Sequence, residues 1–173
     1  IRTIPGNGRI IYPNSVRTID EVLAMGCWSE QESLGGNSCA WQIKGHSPDG
    51  HSFEVFHQGG KVGEVQWVHE GAHNMANGLS AIAAAHHVGV LPEVACEALS
   101  CFQGVKRRME QVANINGVCI YDDFAHHPTA IAMTLEGIRA RLGEKQNIRA
   151  VIELRSNTMK MGVHRETLLN AIE

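Results

Sequence analysis

Hydrophobic positions recur with a period of two in the middle of the chain. Apolar and polar residues alternate in three segments, 39–46, 52–57 and 62–68. The turns between these segments carry Pro48-Asp49-Gly50 and Gly59-Gly60, which suit tight turns. This pattern predicts a three-stranded antiparallel meander. Residues 1–36 show only a short helical pattern near Ile19 and are otherwise expected to be irregular.

The period then becomes helical. Apolar residues recur every three or four positions from Met75 to His86, and this helix is expected to end at Gly89. A second helix is predicted to begin at Pro92, because proline suits the first helical position. Its inward face is expected to carry Ala95, Leu99 and Phe102.

A different order of elements follows residue 104. Two short apolar segments, 118–121 and 148–152, are each followed by a polar loop and a helical pattern, the helices beginning at Pro128 and about His164. Strand, loop and helix in repetition is typical of a parallel βαβ sheet. The sequence therefore predicts an α/β fold. An antiparallel meander with helices spans 1–104, and a partial Rossmann-like parallel βαβ domain spans 105–173, after a basic, glycine-containing hinge at 104–110.

Composition narrows the class of protein. The net charge of −3 gives no basic surface for nucleic acid or anionic membranes, and no apolar run reaches the roughly 18 residues of a membrane span. Five cysteines without a CxxC pair argue against a disulfide framework or a structural zinc site and favour reduced thiols in the cytoplasm. Because the chain lacks an initiator Met and stops within a helical pattern, we expect it to be part of a longer protein.

The strongest local signal is Asp122-Asp123-Phe124-Ala125-His126-His127-Pro128. It places two carboxylates and two imidazoles between a predicted strand and a helix that begins with proline. Ligands bind α/β proteins at the carboxyl ends of strands, so this loop is a candidate binding site. The loop 153–162 occupies the equivalent position after the next predicted strand, and its mixed charge suits a zwitterionic ligand.

Three further segments each have two interpretations. His69-Glu70-Gly71-Ala72-His73 matches the HExxH signature of zinc peptidases, but a strand-to-helix junction with a central glycine is favoured. In His73-Asn74-Met75-Ala76-Asn77 the asparagine amides suit a purine edge, or Asn74 simply caps the helix. The basic run Lys106-Arg107-Arg108 suits phosphate contacts, or it forms a solvated face.

These motifs together resemble the Mur ligases of bacterial cell-wall synthesis: His73-Asn74-x-x-Asn77, Arg107-Arg108-Met109-Glu110 and the 122–128 loop, in that order. The segments 24–32 and 155–162 narrow the resemblance to the branch that acts in peptidoglycan recycling. Mur ligases have a UDP-binding domain, a central ATPase domain and a C-terminal Rossmann-like domain. The resemblance implies that 1–104 is the end of the central domain and that 105–173 begins the C-terminal one.

The resemblance also implies an activity and its substrates. It implies an ATP-dependent ligase that joins UDP-N-acetylmuramate to the tripeptide L-Ala-γ-D-Glu-meso-diaminopimelate through an acyl phosphate, with Mg²⁺ as cofactor. Carried over by motif, Asn77 contacts adenine, Arg108 reaches the nucleotide and Asp123 holds the ribose. His126, the candidate catalytic residue, lies near the sugar nucleotide and the reacting centre. The residues chosen for the tripeptide are Arg155, Asn157 and Lys160.

Some features depart from the family pattern. Phe124 stands where the alanine-adding branch has tyrosine, and Leu154 stands where proline is expected. No G-x-x-x-x-G-K-[ST] phosphate loop occurs in the chain, so that loop and the main Mg²⁺ ligands are expected upstream of Ile1, with no metal ligand in the chain itself. The chain alone is therefore expected to lack ligase activity. The alternatives are the L-alanine-adding branch, a non-catalytic nucleotide-binding module, and a zinc hydrolase using His69 and His73.

Overall fold

The first half of the chain forms a five-stranded mixed sheet. The computed structural model describes residues 1, 3–154 and 156–172. The strands lie in sequence order: β1 (Arg9–Pro13), β2 (Glu30–Gly35), β3 (Trp41–Lys44), β4 (Ser52–His57) and β5 (Gly60–Gln66). Helix α1 (Arg17–Ala24) joins β1 to β2. The pairs β1–β2 and β2–β3 are parallel, and β3–β4 and β4–β5 are antiparallel.

The predicted meander is confirmed, but the expectation that 1–36 is irregular apart from one helix is wrong. The helix is present as α1, and β1 and β2 add two parallel strands to the meander. Strand β2 reads Glu-Gln-Glu-Ser-Leu-Gly and buries only Leu34, so it shows no alternation that a sequence pattern could reveal. Ion pairs from Arg9 to Glu30 and Glu32 join β1 to β2.

Two helices cover this sheet and complete the core. They are α2 (Ala72–His87) and α3 (Pro92–Ser100), both close to their predicted bounds. The core residues come from strands and helices alike: Leu34, Trp41, Phe53, Val55, Val65, Met75, Leu79, Ile82, Ala83, Ala95 and Cys96. Phe102 does not face inward as predicted, because the α3 helix ends at Ser100 and the Phe102 side chain is 43% exposed.

The described residues of the second half form a two-stranded sheet and three helices. The strands are β6 (Glu110–Ile115) and β7 (Val118–Asp122), and the helices are α4 (Pro128–Leu142), α5 (Asn157–Lys160) and α6 (Arg165–Asn170). The α/β class and the helices at Pro128 and near His164 are confirmed. Within the described residues, no helix is long and apolar enough to span a bilayer.

The predicted parallel βαβ pairing is wrong. Strand β7 pairs antiparallel with β6, because Asn116 and Gly117 both adopt positive φ values, 51° and 84°, and form a tight hairpin turn. The segment 148–152 forms no strand. A strand needs a neighbour for its N–H and C=O groups, and no other described segment pairs with this one. The Val151 side chain is accordingly 93% exposed.

Candidate functional site

The first turn of α2 meets α4 at a pair of glycines. Gly71 precedes α2 with φ 85°. A Cβ atom built on Gly71 lies 4.0 Å from the Cα of Gly137, in the middle of α4. The two backbones therefore approach each other with no side chain between them. This contact brings the start of α2 to the side of the molecule that carries the β7–α4 loop.

His73, in the first turn of α2, lies close to two predicted site residues. Burial lowers the pKa of His73; the Asp123 carboxylate partly opposes this shift, and the Arg108 guanidinium adds to it. Both charged groups therefore lie within electrostatic range of the His73 ring, in the first turn of α2.

The zinc-peptidase geometry is not formed. The signature needs both histidines one turn apart on a helix, but α2 begins at Ala72 and His69 lies before it. The His69 ring instead packs against Trp67 and Phe102, with ring centroids 5.0 and 5.3 Å away. Among the described residues, no group of three or more His, Cys, Asp or Glu is placed to hold a metal ion.

The two asparagines of α2 differ in their surroundings. The Asn74 side-chain Nδ2 donates a hydrogen bond to the Glu70 carbonyl at 2.7 Å. The interpretation of Asn74 as the N-cap is wrong, because the helix starts at Ala72 and Gly71 occupies the cap position. Asn77 lies one turn further along and is exposed, so its amide is accessible to a ligand.

Asp123 organises the loop that carries Arg108. Its Oδ2 accepts a hydrogen bond from Met109 N at 2.9 Å, and its Oδ1 accepts one from Ala125 N at 2.7 Å. Arg107 and Met109 have positive φ values of 61° and 51°, which non-glycine residues rarely adopt. The Asp123 carboxylate helps to hold this strained turn. Each carboxylate oxygen retains a second lone pair, so Asp123 can also accept a hydrogen bond from a ligand hydroxyl.

Both arginines of this turn, Arg107 and Arg108, lie against the Phe124 ring. The guanidinium carbons of Arg107 and Arg108 lie 5.3 and 5.9 Å from its centroid, within cation–π range. Arg107 Nε also lies 3.2 Å from Asp122 Oδ2. Phenylalanine lacks the tyrosine hydroxyl of the alanine-adding branch, and its face instead orients an exposed pair of cations.

The two histidines of the loop have distinct roles. His126 Nδ1 lies 3.0 Å from the Phe124 carbonyl. Since a carbonyl only accepts, Nδ1 carries the proton in this contact, and Nε2 of the neutral ring is unprotonated and exposed. His127 Nδ1 accepts from Thr129 N at 3.3 Å and caps α4. The His127 ring also lies 4.7 Å from the ring of His164, which joins the start of α6 to the start of α4.

The predicted tripeptide residues lie at the short helix α5. Ser156 caps this helix by accepting from Met159 N at 3.3 Å, and Met159 is only 6% exposed. Asn157 and Lys160 are both exposed at its two ends. Arg155 lies outside the described residues. In the part of the chain that the structure describes, no hydrogen bond or ion pair joins Asn157 or Lys160 to His126.

One contact between the two halves of the chain has no sign in the sequence. Glu70 and Arg141 form an ion pair of 2.8 Å across 71 positions of sequence. Glu70 lies within the HExxH match, and Arg141 is a basic residue in the last turn of a helix, where basic residues are common. No local signal marks their pairing.

Comparisons with known proteins show which family the chain resembles. A family model described as the Mur ligase, glutamate ligase domain matches residues 107–168. The Escherichia coli (strain K12) UDP-N-acetylmuramate–L-alanyl-γ-D-glutamyl-meso-2,6-diaminoheptandioate ligase is 52% identical over 168 residues, 97% of this chain and 36% of that protein. A UDP-N-acetylmuramate–L-alanine ligase from Nitratidesulfovibrio vulgaris (strain DP4) is 44% identical over 88 residues, covering 51% of this chain and 19% of that protein.

A solved structure shows the same relationship in three dimensions. The crystal structure of a murein peptide ligase from Psychrobacter arcticus 273-4 aligns with a TM-score of 0.74 and 43% identity, covering 99% of this chain and 36% of that one. This chain thus spans little more than a third of the relatives that it matches along its whole length. The motif resemblance, the domain match and the extended identity lead to one conclusion: the chain belongs to the Mur ligase family.

Proposed function

We propose that this chain is part of an ATP-dependent ligase that joins UDP-N-acetylmuramate to the tripeptide L-Ala-γ-D-Glu-meso-diaminopimelate in peptidoglycan recycling. The similarity to the Escherichia coli tripeptide ligase extends over 97% of the chain. The similarity to the Nitratidesulfovibrio vulgaris L-alanine ligase covers 51%. An L-alanine ligase from Desulfitobacterium hafniense (strain Y51) matches 87% of the chain, but at 33% identity against 52% for the tripeptide ligase. The higher identity along the chain favours the tripeptide branch over the alanine-adding branch.

In this proposal, residues 1–104 complete a central ATPase domain and residues 105–173 begin a C-terminal domain. The buried hydrophobic core lies between Leu34 and Cys96 and includes no residue beyond 104. The second segment therefore has no part in the main core. Gly104, with φ 91°, lies at the boundary and is the candidate hinge position.

The nucleotide lies between the two segments in this proposal. The observation that carries it is the approach of Gly71, just before α2, to Gly137 on α4, which brings His73 within electrostatic range of Asp123 and Arg108. The Asn77 amide offers a donor and an acceptor to adenine. Asp123 has lone pairs for the ribose hydroxyls, and the exposed Arg108 guanidinium is suited to phosphate oxygens.

The reacting centre lies towards His126. ATP supplies the phosphoryl group that converts the lactyl carboxylate of the sugar nucleotide into an acyl phosphate, which the tripeptide amine attacks with loss of phosphate. The unprotonated Nε2 of His126 can accept the proton that the attacking amine loses. Arg155 and Lys160 meet the tripeptide carboxylates, and Asn157 donates and accepts hydrogen bonds. Magnesium ligands come from segments outside this chain, and no magnesium step is assigned to its residues.

A chimeric enzyme tests this proposal. The 168 matching residues of the Escherichia coli relative are replaced by this chain, and phosphate release is measured with ATP, UDP-N-acetylmuramate and either the tripeptide or L-alanine. We expect the tripeptide to be the preferred substrate. Lys160→Met is expected to raise the KM for tripeptide about tenfold, the loss of one charge-assisted contact, with little change in the KM for ATP. Asp123→Asn is expected to raise the KM for ATP and to change the KM for the tripeptide little.

Two results would contradict the proposal. A folded chimera that prefers L-alanine would assign the chain to the other branch. If the 173-residue chain by itself released phosphate as fast as the chimera, the expected need for further segments would be wrong. Far-UV circular dichroism of the chimera confirms folding, so that an unfolded protein is not taken for an inactive one.

A further inference from the structure

The Glu70–Arg141 ion pair joins two residues that have no role in the proposed binding of ATP or substrate. Arg141, in the last turn of α4, donates from a terminal guanidinium nitrogen to Glu70 Oε1 at 2.8 Å. The Glu70 side chain is 11% exposed and that of Arg141 is 29% exposed. Among the ion pairs between described residues, this is the one that joins segment 1–104 to segment 105–173.

Both partners have further neighbours within their own segments. The Arg141 guanidinium carbon lies 4.9 Å from the centroid of the Tyr121 ring, which anchors it to β7. Glu70 Oε1 lies 3.5 Å from Nε2 of His51, but His51 Nδ1 donates to the Trp67 carbonyl at 2.9 Å, so Nε2 of the neutral ring offers Glu70 no hydrogen bond. The pair therefore connects an anchored guanidinium to a carboxylate that is mostly buried.

Next to this pair Gly71 approaches Gly137, and neither glycine has a side chain that could interlock. Buried ion pairs add little net stability, but losing one partner leaves an uncompensated charge and removes a directional contact. The Glu70–Arg141 pair is therefore better suited to setting the position of α4 than to stabilising the core.

We propose that Glu70 and Arg141 are positioning residues that hold the β7–α4 loop, and Asp123 with it, against the first turn of α2. Asp123 lies between β7, which carries Tyr121, and α4, which carries Arg141. A shift of α4 relative to Glu70 therefore displaces Asp123 relative to His73. The consequence for nucleotide binding rests on the proposed function, whereas the consequence for the orientation of the segments does not.

Two exposed native cysteines allow a direct test. Cys101 lies in the first segment and Cys119 lies on β7 in the second, while Cys39 and Cys96 are buried. In a Cys27→Ser background, spin labels are attached to Cys101 and Cys119. Pulsed electron paramagnetic resonance then measures the distribution of distances between the two labels, one on each segment. We expect a narrow distribution in the parent. Arg141→Glu and Glu70→Arg should each broaden the distance distribution. The double exchange, which combines both substitutions, should restore the narrow distribution.

Matched controls separate position from folding. Arg139→Glu changes a neighbouring arginine whose guanidinium bonds to the carbonyls of Gly143 and Gln146 in its own segment, and it should leave the distribution narrow. Arg141→Gln tests the same contact if charge reversal unfolds the protein. Thermal unfolding followed by tryptophan fluorescence shows whether each variant keeps the core of the first segment, and a single reversal that lowers the melting temperature is replaced by Arg141→Gln.

The ATP affinity is measured on the same substitutions in the Escherichia coli chimera, because the chain itself contains no phosphate loop. The single charge reversals should weaken ATP binding on the order of tenfold, and the double exchange should recover it. ATP binding that neither the reversals nor Asp123→Asn weakens refutes the nucleotide site, while the distance data still test the ion pair. Unbroadened single variants, or a double exchange that fails to restore the narrow distribution, overturn the positioning role.

Discussion

Replacing Asp123 by alanine tests the organisation of the site most sharply. The carboxylate accepts hydrogen bonds from Met109 N at 2.9 Å and from Ala125 N at 2.7 Å. Hydrogen bonds to charged groups contribute about 1.5–3 kcal/mol each when sheltered from water. Asp123 is half-buried, so water replaces part of this energy, and the two bonds together contribute roughly 2 kcal/mol. Opening of the 107–109 turn should therefore increase about 30-fold.

Amide hydrogen exchange measured by NMR is the appropriate assay. In Asp123→Ala, exchange at Met109 and Ala125 should accelerate about 30-fold, because their acceptor is gone. Asp123→Asn keeps one carbonyl oxygen and should give an increase of about fivefold, near 1 kcal/mol. Asp122→Ala is the matched control, since Asp122 bonds to the Arg107 side chain rather than to these amides. Unchanged exchange at Met109 and Ala125 in Asp123→Ala would refute the assigned role.

Three further predictions concern packing and titration. Gly104→Ala should destabilise the fold by about 2 kcal/mol more than Gly89→Ala in urea unfolding. Both glycines have positive φ, but of the two only Gly104 would place its new Cβ against another side chain, 2.6 Å from His69 Cε1. Burial lowers the pKa of His57 and His69, so the folded state favours their neutral form. The unfolding free energy should therefore fall as the pH drops below about 6.5. A urea unfolding midpoint that stays constant from pH 7 to 5 would contradict this. Burial raises the pKa of the Cys96 thiol to about 11, so iodoacetamide at pH 8 should modify the exposed thiols and spare Cys96, as peptide mass spectrometry would show.

The parts of the fold that follow local patterns were predictable from sequence. The meander and α2 have one buried face each, so Phe53, Val55 and Leu79 recur with the period of their element. Strand β2 could not be found in this way. It is mostly polar, and it is held by Arg9, more than twenty positions away in sequence. A parallel strand fixed by a distant ion pair has no local signature.

The second half shows how an apolar run alone can mislead. The segment 148–152 is as apolar as β7, yet it has no partner strand among the described residues. The turn at Asn116-Gly117 is a strong hairpin signal, and giving it weight would have predicted the antiparallel β6–β7 pair.

The site was predictable as a set of motifs but not as a geometry. The 122–128 loop identified Asp123 and His126 because four polar groups in one short loop are unusual. The pairing of Glu70 with Arg141 depends on how α4 packs against the first segment. Tertiary contacts of this kind are set by the whole chain and leave no spacing to detect.

The central claim is that the first turns of α2 and the 107–127 region form one nucleotide site. An NMR titration of the Escherichia coli chimera with ATP, following backbone and side-chain amides of this chain, measures this most directly, because the chimera supplies the segments that the chain lacks. We expect shifts that saturate together at Asn77, Arg108 and Asp123 and that are lost in Arg108→Gln. Shifts confined to the groove between β5 and α3, around Gly63 and Glu97, or no saturable shift at Asn77 and Asp123, would contradict it.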